Sequence, residues 1–191
     1  MNKIVLASGS PRRKFLLSEL GLDFEVYKPE VDERRLDGEA PEDLCRRLSQ
    51  LKAKAGASKF PDKIIIAADT IVVIDDEILG KPKDHDDAFR MLMTLQNRTH
   101  EVLTGLSVCK GKKLISHVER TSVKFRELSE KEIRAYISTG EPNDKAGAYA
   151  VQGLGSLLVE SLQGDYFNVV GLPVCSLGKI LREFEINILT R

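Results

Sequence analysis

Two adjacent arginines at the start of a predicted helix have the types and spacing that phosphate chemistry needs. Arg12 and Arg13 follow Ser10 and Pro11, which suit the N-cap and the first helical position. Cations at this end cost about 0.3–1 kcal/mol each, because the helix dipole is positive there. An anion bound at the helix N-terminus would explain the pair, since loop N–H groups and the hydroxyls of Ser8 and Ser10 add donors. The spacing alone is compatible equally with a phosphate site and with two solvated arginines on a surface helix.

A single carboxylate interrupts the most apolar run of the chain. Asp69 lies within residues 64–73, which are otherwise almost entirely apolar. Burying a carboxylate without a partner is costly. Catalytic groups gather at strand ends in open α/β sheets. We therefore predict a general base or a Mg²⁺ ligand at Asp69, with a structural carboxylate that caps a loop as the alternative.

Three further charged residues are weaker candidates. Gly80 and Pro82 fix the backbone around Lys81, which could hold its ammonium over a cleft. Lys52 lies near the apolar face of a predicted helix and either reaches a phosphate or extends along that face to solvent. Glu33 is one acid in an acidic loop. Each of the three has a solvated side chain as its plain alternative.

The segment 141–155 combines small residues with glycines around Lys145 and Gln152. Such a backbone permits close approach by a ligand, and the Gln152 amide could read a base edge. A structural turn explains the same composition. Asp165 and Asn168, before the last predicted helix, either line the same cleft or cap it.

Alternating helix and strand patterns predict an α/β fold with a mixed, twisted sheet and flanking helices, formed by one domain over residues 1–191. Strands are predicted over 3–7, 24–27, 64–68 with a continuation over 71–74, 77–79 after a turn at Asp75 and Asp76, and 156–162. A long hairpin is predicted over 99–125, with its turn at Gly111. Helices are predicted from Pro11 to Gly21, over 84–97, and from a capping box at Ser129 to Gly140. Two more are predicted to begin at Pro41, with Leu44, Leu48, Leu51 and Ala55 on the buried face, and at Pro173, with Phe184 on the buried face.

Composition argues against several classes of protein. Lysine plus arginine and aspartate plus glutamate both number 29 among 191 residues, and this balance is unlike a nucleic-acid or anionic-membrane binder. The apolar windows are too short for a membrane span or a signal peptide, so we expect a cytoplasmic protein. Neither the cysteines nor the histidines have the spacing of a disulfide framework or a transition-metal site; they are Cys45, Cys109, Cys175, His85, His100 and His117.

Five motifs, in their order and spacing, resemble the Maf family of nucleoside triphosphate pyrophosphatases over nearly the whole chain. They are residues 6–13, 68–70, 80–82, 139–142 with 144–149, and 168–173. The resemblance implies two lobes around a central cleft, a homodimer in the cytoplasm, and a divalent cation, Mg²⁺ or Mn²⁺. It also implies hydrolysis of the α–β phosphoanhydride to a nucleoside monophosphate and pyrophosphate.

The same resemblance assigns individual roles. The catalytic aspartate of the family falls on Asp69, and metal binding falls on Glu33 with Asp69. The phosphate and metal cluster falls on Ser8, Arg12, Arg13, Glu33, Lys52 and Lys81.

The family has one branch that prefers dTTP and UTP and another that prefers 7-methyl-GTP. The discriminating positions fall on Arg12, Thr70 and Gln152, where the second branch typically has Trp, Gln and Glu. Lys145 and Tyr149 also fit the first branch. The resemblance thus predicts a dTTP/UTP pyrophosphatase that also accepts modified pyrimidine nucleotides, with a link to septum formation.

Two other functions compete with this enzyme. One is a regulatory nucleotide-binding protein without turnover, which would act on cell division through a partner. Intact Asp69 and Glu33 argue against it. The other is a nucleic-acid-binding module, and zero net charge with only 6% aromatic residues argues against that.

Overall fold

The computed structural model describes residues 3–190, and these residues form seven strands and six α-helices. In chain order they are β1 (Ile4–Ala7), α1 (Pro11–Glu19), β2 (Phe24–Tyr27), α2 (Pro41–Lys59), β3 (Ile64–Ile74), β4 (Glu77–Leu79), α3 (His85–Leu95), β5 (Thr99–Lys110), β6 (Lys113–Phe125), α4 (Glu130–Ser138), β7 (Val159–Gln163), α5 (Tyr166–Val170) and α6 (Val174–Arg182). Short 3₁₀ helices cover Glu141–Asp144, Ala146–Ala148 and Gly153–Leu158.

The strands form a seven-stranded mixed sheet. Its hydrogen-bonded order is β2-β1-β3-β5-β6-β7, and β4 pairs with β3. β1 runs parallel to β2 and β3, whereas β3–β4 and β6–β7 are antiparallel. The predicted α/β fold with a mixed sheet is confirmed.

The chain divides into two compact units. The first unit contains residues up to Asp69, Thr104–Glu119 and residues from Gly171 onward. The second unit contains Thr70–Leu103 and Arg120–Val170. The central cleft and the single inseparable domain stay predictions. Within residues 3–190, no helix is long and apolar enough to cross a membrane.

Each unit has its own apolar core. The core of the first unit contains Val5, Ala7, Ala53, Ile65, Ala67 and Cys109. The larger core of the second unit includes Val72, Leu79, Leu92, Leu95, Phe125, Ile133, Tyr136 and Tyr149.

Local sequence signals set most element ends as predicted. Ser10 caps α1 by accepting a hydrogen bond from the Arg13 backbone N–H at 3.5 Å. Gly21, with φ 63°, follows the C-cap of that helix. Ser129 and Glu132 form the predicted capping box of α4.

The two predicted hairpin turns are also confirmed. Asp75 and Asp76 join β3 to β4 with φ 47° and 64°, the left-handed backbone that a two-residue hairpin turn requires. Gly111, with φ 57°, turns β5 into β6.

The predicted strand over 156–162 is wrong in its first half. Residues 153–158 form a 3₁₀ helix, and β7 begins only at Val159. The reason is tertiary, because the carboxylate of Glu141 accepts the backbone N–H groups of Leu154 and Gly155 and holds the first turn of that helix.

Three other predicted boundaries differ. β3 continues through Asp69 and Thr70 as one 11-residue strand instead of two pieces. The short helix α5 was not predicted, because its five residues are too few to show a helical period. Phe184 lies beyond the end of α6 instead of inside that helix.

The buried face of α2 is also shifted relative to the prediction. Leu44 and Leu48 are buried, but Leu51 and Ala55 are only half-buried. Gly56 is buried instead, and a Cβ added to it would lie only 2.6 Å from the Ile65 side chain. The absence of a side chain at Gly56 lets α2 approach β3 closely.

We predict that Gly105→Ala lowers the free energy of unfolding by about 1–3 kcal/mol through overpacking. A Cβ at Gly105 would lie 2.1 Å from the Cys45 carbonyl oxygen, and backbone cannot yield as a side chain can. Urea unfolding measures the change. The matched control is Gly178→Ala in α6, where a Cβ meets nothing within 4 Å and the helix should gain about 0.5–1 kcal/mol. Equal stabilities for the two variants would contradict the packing.

We predict that His100 makes stability depend on pH. The ring is 2% exposed, packs edge-on against Phe125, and hydrogen-bonds through Nε2 to the Tyr149 hydroxyl at 2.7 Å. Burial lowers the pKa of His100 from 6.5 to about 4. At pH values between these two, the imidazole is protonated in the unfolded chain and neutral in the folded chain. Stability should therefore fall by about 1.4 kcal/mol per pH unit over that window as pH decreases.

Urea unfolding across this pH range compares the wild type with His100→Gln, which should lose that part of the slope. His85→Gln is the control, because His85 is exposed in the same unit. A slope equal to that of the wild type in His100→Gln would refute the assignment.

Candidate active site

The loop between β1 and α1 fixes Arg13 from two sides. β1 ends at Ala7, and the buried Ser8 follows at once. The Ser8 hydroxyl oxygen accepts hydrogen bonds from the Ser10 backbone N–H and from Nη1 of Arg13, both at 3.2 Å. Nε of Arg13 donates to the Gly171 carbonyl oxygen at 2.7 Å. The guanidinium is therefore oriented by the protein itself.

Charged neighbours surround this guanidinium. Burial lowers the pKa of Arg13. The negative charges of Asp69 and Glu33 oppose this lowering of the pKa, and the positive charge of the adjacent Arg12 adds to it. Residues from the start of α1, from the loop after β2 and from β3 thus act electrostatically on one group. All of them belong to the first unit.

Lys52 joins the two acids. Its Nζ lies 2.5 Å from Oδ1 of Asp69 and 2.8 Å from Oε1 of Glu33. The side chains of Lys52 and Asp69 are only 12% and 13% exposed, whereas that of Glu33 is 60% exposed. Pairing offsets the cost of removing these charges from water. The ammonium of Lys52 ends on carboxylates rather than in solvent.

Strand register explains why Asp69 lies in this cluster. Leu6 of β1 pairs with Ile66 of β3, and β1 ends one residue later. β3 runs on, so Asp69 lies beyond the carboxyl end of its neighbour, although it is in the middle of its own strand. Asp69 and Thr70 are the two residues of β3 that are not fully buried. A single long strand therefore supplies, in its middle, the partly buried polar position that the sequence predicted at a strand end.

The donor set suits a hard divalent cation. Glu33 and Asp69 present carboxylate oxygens close to one nitrogen, and Mg²⁺ prefers oxygen ligands. Among residues 3–190, no group of three or more His, Cys, Asp or Glu side chains could hold a metal ion by itself. Mg²⁺ is commonly held by one or two carboxylates together with substrate phosphates, and Glu33 with Asp69 fits that pattern.

The remaining predicted site residues belong to the second unit. Thr70 is half-buried and follows Asp69 in β3, and Lys81 is exposed after β4. The backbone next to Lys81 is tied down, because the Gly80 carbonyl oxygen accepts the Gly147 N–H at 3.0 Å. Gln152 is half-buried at the N-cap of the 3₁₀ helix Gly153–Leu158.

Lys145 and Asn168 have bonds within the protein. Nζ of Lys145 donates to the Glu141 carbonyl oxygen and to Oδ1 of Asp144, both at 2.6 Å. Asn168 is fully buried, and its Nδ2 donates to the Val102 carbonyl oxygen and the Thr121 hydroxyl, both at 3.0 Å. These bonds fasten α5 to β5 and β6, which is a structural role for Asn168.

Two contributors were not found from the sequence. Gly171 supplies the carbonyl oxygen that orients Arg13, and its membership in the motif 168–173 was the available signal. Glu141 lies in the segment that was singled out, but its carboxylate had no predicted role.

The fold and the charged cluster define an α/β protein in which arginine, lysine and two carboxylates meet beside the carboxyl end of a parallel strand. Comparison with known proteins specifies the family. The family model described as "Maf-like protein" matches residues 3–184, so the chain belongs to the Maf family.

Relatives from several bacteria carry the name "dTTP/UTP pyrophosphatase". That of Thermoanaerobacter sp. is 53% identical and covers 98% of this chain and 100% of its own length. Those of Clostridioides difficile and Bacillus cereus are 49% and 46% identical, with 97% and 98% of both chains covered. A solved structure of the Staphylococcus aureus Ham1 protein is a partial match, at 18% identity and a TM-score of 0.47 over 64% of this chain and 71% of that one.

We predict that Arg13→Lys weakens binding of inorganic pyrophosphate about tenfold, because lysine cannot bond both Ser8 and Gly171 while presenting a planar fork to phosphate. Titration calorimetry measures the Kd. Arg182→Lys, on the exposed surface of α6 in the same unit, is the control. Unchanged affinity in Arg13→Lys would show that this residue does not contact the anion.

Proposed function

We propose that this protein is a nucleoside triphosphate pyrophosphatase that hydrolyses dTTP and UTP, and modified pyrimidine nucleotides of similar shape, to the monophosphate and pyrophosphate. The observation that carries the proposal is the ammonium of Lys52 between Asp69 and Glu33, with Arg13 in the same electrostatic cluster. Membership of the Maf family and the names of three relatives that match end to end support it.

The phosphate chain has matching donors in this proposal. Arg12, Arg13, Lys52 and Lys81 neutralise its oxygens, and Ser8 orients Arg13. Preorganised donors stabilise negative charge more effectively than water does, because they need no reorganisation as the charge develops. The planar guanidinium of Arg13 is already fixed by two hydrogen bonds, so it loses little rotational freedom when phosphate binds.

Asp69 is the catalytic base of the proposal. Its carboxylate orients a water molecule and accepts a proton from it as the water oxygen bonds to the α-phosphorus. The bond from the α-phosphorus to the bridging oxygen breaks, and pyrophosphate leaves with that electron pair. A divalent cation, Mg²⁺ or Mn²⁺, bound by Glu33 and Asp69 together with phosphate oxygens would add charge neutralisation at the phosphates. The bond from Lys52 holds the Asp69 carboxylate in one orientation.

Base selection is assigned to Arg12, Thr70 and Gln152. An amide such as that of Gln152 can both donate and accept, which matches the mixed donor and acceptor edge of uracil or thymine. The homodimer and the cytoplasmic location implied by the family resemblance belong to this proposal as well.

We predict that Asp69→Asn keeps the fold and lowers kcat for dTTP by about 10²–10⁴-fold, the usual contribution of a general base. Pyrophosphate release with Mg²⁺ or Mn²⁺ is measured on dTTP, UTP, CTP, GTP and 7-methyl-GTP. Asp75→Asn is the matched control, because Asp75 lies exposed in the β3–β4 turn and asparagine tolerates its positive φ.

Each outcome of this assay is informative. Preference of the wild type for dTTP and UTP supports the proposal, and preference for 7-methyl-GTP overturns the base assignment while keeping the chemistry. Undiminished turnover in Asp69→Asn removes Asp69 from the mechanism. Nucleotide binding without release from any of the five substrates would favour a regulatory binding protein.

A further inference from the structure

The backbone on both sides of Gln152 is held by two side chains of the second unit. Gln152 is the N-cap residue of the 3₁₀ helix Gly153–Leu158, and its own side chain makes no capping bond. The neighbouring N–H groups of Ala150, Leu154 and Gly155 all donate to side-chain oxygens. Gln152 therefore lies between anchored residues.

Glu141 and Tyr136 supply those oxygens. Oε1 of Glu141 accepts the Gly155 N–H and the Tyr136 hydroxyl, both at 2.9 Å, and Oε2 accepts the Leu154 N–H at 3.1 Å. The Tyr136 hydroxyl oxygen accepts the Ala150 N–H at 3.3 Å. One carboxylate with three donors and one hydroxyl that both donates and accepts form a closed arrangement, which we call the Tyr136–Glu141 frame.

The two glycines after Gln152 are explained by this frame. A Cβ on Gly153, which has φ 64°, would lie 2.8 Å from Oε2 of Glu141. A Cβ on Gly155 would lie 2.7 Å from the Tyr136 hydroxyl oxygen and 2.2 Å from the Ala150 carbonyl oxygen. Both glycines allow the frame to approach the backbone, so their small size does not need a ligand to explain it.

The frame is built on a rigid support. Tyr136 is buried in the core of the second unit, on α4, whose start is fixed by the capping box of Ser129 and Glu132. Burial raises the pKa of Tyr136 above its ordinary value, so its hydroxyl keeps the proton that it donates to Glu141. Glu141 also offers its backbone carbonyl oxygen to Lys145, which ties a second predicted site residue to the same point.

We propose that Glu141 and Tyr136 are positioning residues for base selection, because they fix the backbone from which the Gln152 amide reads the pyrimidine. The inference rests on the proposed function, in which Gln152 contacts the base. An amide discriminates between bases only when its donor and acceptor ends are held in a defined orientation. Charge-assisted hydrogen bonds such as those to Glu141 are about twice as strong as neutral ones, which suits that task.

The test is a graded series of variants assayed for kcat and KM with dTTP, UTP and GTP. Glu141→Gln should raise KM for dTTP and UTP about tenfold and leave kcat within about threefold, because a base contact serves ground state and transition state alike. GTP should change little, so the preference for pyrimidines falls. Glu141→Ala should act in the same direction and more strongly, and the smaller loss in Glu141→Gln is the conservative rescue.

Tyr136→Phe provides a second route to the same result. It removes the hydroxyl and keeps the buried ring, so the fold should survive even where a Glu141 variant does not. We expect a pyrimidine-specific increase in KM of about threefold, because the Ala150 N–H loses its acceptor and the Glu141 carboxylate loses one of its three donors. Glu160→Gln and Tyr166→Phe are the matched controls, because both residues lie exposed in the second unit and outside the frame and its supporting helix. Melting temperatures accompany each assay.

Gln152→Ala separates this inference from the proposed function. If Gln152→Ala lowers the pyrimidine preference but Glu141→Gln and Tyr136→Phe do not, the positioning role is wrong and the function stands. If Gln152→Ala leaves the preference intact, the base contact and this inference both fall, while turnover of dTTP still supports a pyrophosphatase. Equal losses of the Glu141 variants on dTTP, GTP and inorganic tripolyphosphate would mean a general structural role and overturn the inference.

Discussion

Close packing of α2 on the sheet is the constraint on which the charged cluster of the first unit depends. Nζ of Lys52, on α2, bonds to Glu33 from a loop and to Asp69 from a strand. The position of that nitrogen follows from the distance between α2 and the strands beneath it. Gly56 in the helix and Gly105 in β5 lack the side chains that would keep α2 away. Close packing of helix on sheet is thus the condition for the charged cluster.

The two units hold their candidate residues by different kinds of interaction. The first unit gathers full charges with partial burial, where pairing and desolvation compete, as the lowered pKa of Arg13 reflects. The second unit holds its candidate segment with directional hydrogen bonds to Glu141 and Tyr136. Charge suits the recognition of phosphate, which is alike in all nucleotides, and directional bonds suit the recognition of a base.

Local signals in the sequence predicted the elements whose ends are decided locally. Caps and tight turns act within a few residues, so residue type alone decides where the helix or strand ends. Examples are Ser10, Pro11 and Gly21 around α1, the capping box of α4, and the turns after β3 and β5. The 3₁₀ helix over 153–158 depends on Glu141, and the burial of Asn168 depends on Val102 and Thr121, so neither is visible in a local pattern.

Site residues divide in the same way. Arg12, Arg13 and Asp69 stood out because each occupies a position that is unfavourable without a partner. Lys52 and Glu33 were only weak candidates by their positions in the sequence, and the family resemblance gave them their roles. The side chain of Gln152 takes no part in capping the 3₁₀ helix that follows it. An exchange of residue 152 therefore removes no capping bond from that helix. In the proposed function, a lineage could acquire a new substrate through this one position while the surrounding scaffold stays under unchanged selection.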